Sequence, residues 1–275
     1  MVYYTDTTRV RVADDPRGPW RRPSHDAPWG LHFQGGKTEF DGQRRIIHAY
    51  LQRADSDYAE HVYGGCMPLP RELFLDKNGE VGTRLVPEVV AACQKDATAG
   101  KGAAVFVPAQ GDPATMVENT ITLAANPVTT ALALWKEAPS DFFFSADVHL
   151  SHGSTLSLLL RGHPHKQPRQ TQPNPLDDSY VLSLDTHAQE VKLNRQNAWN
   201  RMPAIRTQAI ALPTDRPCKL HLMLHRDVLE VFVDDRISLC ARVQSPSGAL
   251  ALLARDGTVS LSNLRINHLP LAKQP

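Results

Sequence analysis

Hydrophobic positions between residues 120 and 267 come in short runs, each closed by Gly, Pro, Asp, Asn or Ser. The runs Thr120–Ala125, Phe142–Leu150, Thr155–Arg161, Tyr180–Asp185, Glu190–Asn194 and Thr207–Leu212 read as strands. So do Cys218–His225, Val228–Val233, Ile237–Arg242, Gly248–Ala254 and Val259–Asn267. Many short strands with turn chemistry between them predict an all-β sandwich. Within Cys218–His225, Leu220, Leu222 and Leu224 share one face and His221, Met223 and His225 the other, which reads as a polar outer face. Two histidines at i and i+4 on a strand stand about 13 Å apart, too far to share one metal ion. His163–Pro175 is rich in proline and glutamine and reads as a surface loop, with His163 and His165 as a chance pair.

The first hundred residues are patterned differently. Arg9–Val12 alternates and reads as a strand, and the Asp-Pro and Gly-Pro pairs of Ala13–Trp20 make a loop with Trp20 packed behind it. Gly35–Phe40, a turn at Asp41-Gly42 and Arg44–Leu51 form a hairpin. Asp55–Glu60 is a polar loop. Pro68 and Pro70 fix φ and hold the chain extended into the apolar run Leu73-Phe74-Leu75; Asp76–Gly79 then turns it into a second strand at Glu80. Val86–Ala99 suits one or two helical turns with Pro87 near the start. Gly100–Pro113, rich in Gly, Ala and Pro, reads as a linker, with the boundary between about residues 95 and 113.

Composition narrows the classes. A charge of +1 and a pI near 7.8 point to neither nucleic acid nor a membrane surface. No stretch approaches the roughly 18 apolar residues of a spanning helix, and residues 1–6 lack the basic and apolar regions of a signal peptide. The four cysteines (Cys66, Cys93, Cys218, Cys240) show no C-x-x-C spacing and read as buried thiols, with no metal site. Gly36-Lys37-Thr38 has the ending of a phosphate loop, but the upstream glycine is at the wrong offset and no helix follows. There is no Gly-x-Ser-x-Gly elbow, and nothing points to a cofactor.

Two stretches carry a family likeness. Met67-Pro68-Leu69-Pro70-Arg71-Glu72-Leu73-Phe74-Leu75, the Gly79 turn and Leu85-Val86-Pro87-Glu88-Val89 resemble the close of the catalytic domain of glycoside hydrolase family 32, the β-fructosidases. Leu229-Glu230-Val231-Phe232-Val233-Asp234-Asp235, Arg242, Gly248–Leu252 and Leu261–Ile266 resemble that family's C-terminal sandwich. Two departures stand out: Ala49-Tyr50 ends a strand where the family has Gly-Trp, and Asp235-Arg236 replaces a Gly turn. The resemblance implies an all-β chain, with residues 1–95 about the last blade of a five-bladed propeller, 96–112 a linker and 113–275 a β-sandwich. It implies a parent activity of β-fructofuranoside hydrolysis in sucrose or fructans, a carbohydrate ligand, and the missing blades as a partner if they exist as a separate chain.

Retaining glycosidases need two carboxyls about 5–5.5 Å apart. The family's Asn-Asp-Pro, Arg-Asp-Pro and Glu-Cys phrases are all absent here, and Asp14-Asp15-Pro16 is only the nearest string. No catalytic residue is therefore assigned, and the chain alone should not hydrolyse. Tyr63 either packs at a tight turn or lines a sugar pocket. Arg71 and Glu72 either pair locally across the hairpin or bind sugar. A lone blade leaves its faces and edges open, so residues 1–95 should be poorly stable unless the sandwich or a partner covers them. The reading from another class is a non-catalytic carbohydrate-binding or structural sandwich. Its candidate stacking aromatics are limited to Trp135, Tyr180, Trp199 and a few Phe.

Overall fold

The computed structural model describes residues 2–5, 9–30, 33–52, 65–95, 114–127, 129–135, 138–164, 176–196, 204–243 and 248–269. Strands β1 (Val2–Thr5) and β2 (Arg9–Val12) form a hairpin. β3 (Phe33–Phe40), β4 (Arg45–Gln52), β5 (Gly65–Cys66), β6 (Arg71–Leu75) and β7 (Val81–Leu85) form an N-terminal sheet in the order β3-β4-β6-β7, with β5 on the end of β4. One helix follows, α1 (Pro87–Lys95). Pro87 fits its first turn, where no N–H partner is needed, and Glu88 suits the positive end of the helix dipole.

The remaining strands are β8 (Ala114–Val117), β9 (Thr120–Ala124), β10 (Ala131–Trp135), β11 (Phe142–Leu150), β12 (Thr155–Pro164), β13 (Leu176–Asp177) and β14 (Tyr180–Asp185). They continue with β15 (Glu190–Arg195), β16 (Ala204–Ala209), β17 (Cys218–His225), β18 (Val228–Val233), β19 (Ile237–Arg242), β20 (Ala249–Arg255) and β21 (Thr258–His268). They build two antiparallel sheets. The front sheet runs β19-β18-β17-β11-β21-β9-β8; the back sheet runs β10-β20-β12-β14-β15-β16, with β13 on β12. Their facing sides interdigitate in one core: Phe142, Phe144, Leu220, Leu222, Leu224 and Val231 from the front, and Leu156, Leu158, Leu182, Leu184, Val191 and Leu252 from the back. This is the all-β sandwich that the turn-punctuated runs predict.

Agreement is close where alternation is strong. Phe142–Leu150, Tyr180–Asp185, Cys218–His225, Val228–Val233 and Ile237–Arg242 begin and end as read. The expected Thr207–Leu212 strand lies earlier, at Ala204–Ala209. β1, β8 and β10 were not anticipated. β10 reads Ala-Leu-Ala-Leu-Trp, whose alanines and leucines favour helix; pairing with β20 and burial override that preference. The stretch read as a linker lies outside the described residues.

The outer face of the front sheet corrects one expectation. His221 and Met223 do lie opposite Leu220, Leu222 and Leu224, but their face is covered rather than solvated. Phe143 and Phe232, fully buried, join Leu85 there, with Leu69, Val89, Val90, Cys93, Met223 and Leu269 packed around them. A second cluster joins Val10 and Val12 of β2, Trp29, Phe33, Ile47, Leu51 and Leu73 to Cys240 and Val228 of the front sheet. The N-terminal sheet is therefore shielded by the sandwich. Polar contacts secure the docking: Thr83 N–H donates to Arg236 O at 3.0 Å and Ser238 N–H to Pro28 O at 2.7 Å. Gln208 Nε2 donates to Ala27 O at 2.8 Å, and Asn267 Nδ2 to Cys93 O, a carbonyl in the last turn of α1, at 3.2 Å.

Candidate functional site

Arg71 and Glu72 are neighbours on β6, so their side chains leave opposite faces of the strand. The expected local pair between them does not form. Arg71 points into the junction and is fully buried. Its Nη2 donates to Glu230 Oε2 at 2.9 Å, its Nε to Ser238 Oγ at 2.8 Å and its Nη1 to Leu69 O at 2.8 Å. Leu69 N–H donates to the other Glu230 oxygen at 2.8 Å. The guanidinium lies between two rings, 4.1 Å from the Phe33 centroid and 5.1 Å from that of Phe232. Burial pushes the Glu230 carboxyl up, while Arg71 and the Leu69 N–H pull it down. With side-chain exposures of 0% and 2%, this pair is closed to a sugar and joins β6 to β18.

Glu72 faces the other way and pairs in bidentate fashion with its cross-strand neighbour Arg84, at 2.6 and 3.0 Å. Several other carboxylates of residues 9–95 are similarly occupied. Asp26 holds Arg11 and Arg22, Asp41 and Glu88 hold Arg44, Asp76 holds Arg236 and the Asn78 and Glu80 N–H groups, and Glu80 holds Ser24. These partners give the carboxylates structural work. Tyr63 lies outside the described residues. Among the described residues no group of three His, Cys, Asp or Glu is arranged to hold a metal ion. Cys218 and Cys240 are buried, and burial pushes their thiols up to about 12 and about 11, which keeps them protonated at neutral pH.

Sequence reasoning missed Glu230 and Ser238 as partners of Arg71. The signal was available: Glu230 interrupts the apolar run 229–233 just as Arg71 precedes Leu73-Phe74-Leu75, and a buried charge needs an opposite one.

His221 sits on the same covered face, 5.5 Å from the Phe143 ring centroid, and its Nδ1 is buried without a hydrogen-bond partner among the described residues. Burial lowers its pKa from 6.5, with Lys219 acting in the same direction and Asp235 and Asp147 against. The unfolded chain therefore takes up this proton first. The stabilisation from neutral His221 is complete above pH 6.5 and falls as pH drops through the lower folded pKa. Urea midpoints at pH 7.5 and 5.5 should show a loss that shrinks in His221→Gln; an unchanged loss would place the sensitivity elsewhere.

The sandwich carries a second feature, on the outer face of its back sheet. A groove of about 340 Å³ crosses β20, β12, β14 and β15. Strand register sets its floor. Arg255, Thr155, Asp185 and Glu190 form one cross-strand row; Leu253, Ser157, Ser183 and Lys192 the next; Leu159, Val181 and Asn194 a third. The Ser157 and Ser183 hydroxyls hydrogen-bond each other at 2.9 Å, and Lys192 pairs with Glu190 at 2.5 Å. Asp185 Oδ1 accepts the His187 and Ala188 N–H groups at 2.8 Å each.

No protein-family model matches the chain, and no curated protein matches it in sequence. Solved structures do match its fold. An exo-inulinase from Aspergillus awamori matches with a TM-score of 0.62 at 13% identity, over 95% of this chain and 50% of that one. A fructosyltransferase from A. japonicus matches with 0.60 at 12% identity, over 96% and 53%. A Bombyx mori GH32 β-fructofuranosidase matches with 0.57 at 14% identity, over 98% and 49%. The chain thus resembles in fold the C-terminal part of glycoside hydrolase family 32 proteins, and it spans about half the length of these structures.

Proposed function

We propose that the chain is the C-terminal portion of a β-fructosidase-like glycoside hydrolase. In this reading residues 1–95 end a β-propeller, residues 96–112 link, and residues 113–275 form the sandwich that braces the propeller. The parent reaction is hydrolysis of β-fructofuranosidic bonds in sucrose or fructans, with both catalytic carboxyls supplied from outside this stretch. The observation that carries the reading is the docking of the N-terminal sheet on the sandwich through Arg71–Glu230, within a fold matched over 95% of the chain by half of an exo-inulinase. Phe40, Leu75, Tyr50 and Met67 of the N-terminal sheet and its approach are 56%, 40%, 41% and 71% exposed. Such apolar surface suits a sheet that meets further blades.

The test is mass and activity together. Native protein from its source should run heavier than the 30.5 kDa of this chain, or as this chain in complex with another. It should release fructose from sucrose or inulin, while the 275-residue chain alone releases none. Fructose release by the isolated chain would overturn the placing of the carboxyls elsewhere. A native 30.5 kDa protein with no partner and no activity would overturn the fructosidase reading.

A further inference from the structure

We infer that Cys66 and Cys240 form a redox latch: a disulfide oxidant joins their sulfurs in a bond that ties the N-terminal sheet to the sandwich. Both are free thiols in this structure. The inference rests on the junction's own geometry and stands whether or not the parent protein is a fructosidase.

These two cysteines come from the two sides of the junction and share one packed cluster. Ile47, Leu51 and Leu73 belong to it from the N-terminal sheet and Cys240 from the front sheet, with Cys66 and Val228 packed against them. Cys93 and Cys218 each lie in another cluster, without a second cysteine among the described residues. Strand register brings the pair to one place. Cys66 stands opposite Leu51, so it shares the face of β4 that meets this cluster. Cys240 stands opposite Glu230, and Val228 is the next residue along that face of β18. Leu69, just past Cys66, donates its N–H to Glu230 at 2.8 Å, which ties the chain beside Cys66 to the cross-strand partner of Cys240. The sulfurs also act on each other. Burial does most to keep the proton on Cys240; Glu230 and an ionised Cys66 add to it, against Arg71 and Arg206. Such a charge effect requires nearness in space.

Exposure sets the order of steps. Cys66 is partly exposed, whereas Cys240 is buried. With oxidised glutathione, the Cys66 thiolate attacks one sulfur of the oxidant, forms a mixed disulfide and expels one glutathione thiolate. Cys240, having released its proton, then attacks the Cys66 sulfur and expels the second. The protein loses two S–H hydrogens and gains one S–S bond; the oxidant's S–S bond breaks and two glutathione thiols take up the protons. The cysteine pair is oxidised and the glutathione disulfide reduced. Burial pushes both thiols up, so the exchange is slow at neutral pH and quickens as pH rises. β5 is two residues long and held to β4 by two pairings, so Cys66 closes the remaining gap without disrupting the longer strands.

The experiment treats the folded whole chain with oxidised glutathione at about pH 8.5, caps the remaining thiols with N-ethylmaleimide and maps the peptides by mass. Cys66 and Cys240 should be recovered joined, about 2 Da below the sum of their reduced peptides. The joined protein should unfold at a urea midpoint about 1 M higher, because the bond closes a long loop in the unfolded chain. Dithiothreitol should return the midpoint to its reduced value. Cys66→Ser, at a partly exposed position, should abolish both the link and the gain, and Cys93→Ser should abolish neither. Four thiols left unreacted, or a glutathione adduct that persists on Cys66 while Cys240 stays free, would overturn the inference. So would a link that forms only in urea, a link from Cys66 to another cysteine, or a Cys66–Cys240 link that leaves the midpoint unchanged. None of these outcomes bears on fructose release by the native protein.

Discussion

Glu230→Ala is expected to lower stability by about 3–5 kcal/mol, because it strands a buried guanidinium without its counter-charge. Arg71 would keep Ser238 Oγ and Leu69 O but lose its carboxylate, and Leu69 N–H would lose its acceptor. Water has no ready access, since both side chains are almost wholly buried. The damage should concentrate at the junction: hydrogen exchange should accelerate first in β6 and β7 and only later in β11 and β17. The double variant Arg71→Met with Glu230→Leu should recover much of the loss, since an apolar pair of similar volume needs no desolvation. A single-variant loss under about 1 kcal/mol would mean that the junction opens to water and that the ion pair does not hold the N-terminal sheet.

Phe143 and Phe144 give the second large effect, and a contrast between neighbours. Both are fully buried, but successive residues of β11 face opposite ways. Phe144 fills the space between the front and back sheets, while Phe143 packs against Leu85, Phe232 and the helix α1 side chains. Each alanine variant should cost about 3–5 kcal/mol at its own site. Phe144→Ala should shift the unfolding midpoint of the entire sandwich. Phe143→Ala should leave the sandwich midpoint nearly unchanged and make residues 69–95 susceptible to limited proteolysis. Identical melting and proteolysis profiles for the two variants would mean that the N-terminal sheet and the sandwich unfold as one unit.

The legible and illegible parts of this chain divide on physical lines. Strands of the front sheet could be placed from sequence because one apolar face alternates with something else, as in Leu220-His221-Leu222-Met223-Leu224. What that other face meets could not be read: His221 and Met223 look polar or flexible enough for solvent, yet they lie under α1 and the N-terminal sheet. β10 escaped because alanine and leucine in alternation favour helix when isolated. Arg71 and Glu72 were singled out as a unit because they are adjacent, and adjacency on a strand is what separates them. The groove was illegible in principle. Thr155, Ser183, Asn194 and Arg255 are scattered over a hundred residues, and only the pairing of β20, β12, β14 and β15 brings them side by side.

The junction also sets an order of events during synthesis. Arg71 must wait for Glu230, which follows 159 residues later. The front sheet itself is incomplete until β21 arrives, because β11 pairs with it from Phe142–His268 to Leu150–Val259. At ribosomal speeds the interval is roughly 8–30 s. Through that time Trp29, Phe33, Ile47 and Leu73 have no sandwich to cover them. A nascent chain stalled before residue 230 should therefore recruit a chaperone to residues 29–85, and one released after residue 268 should not.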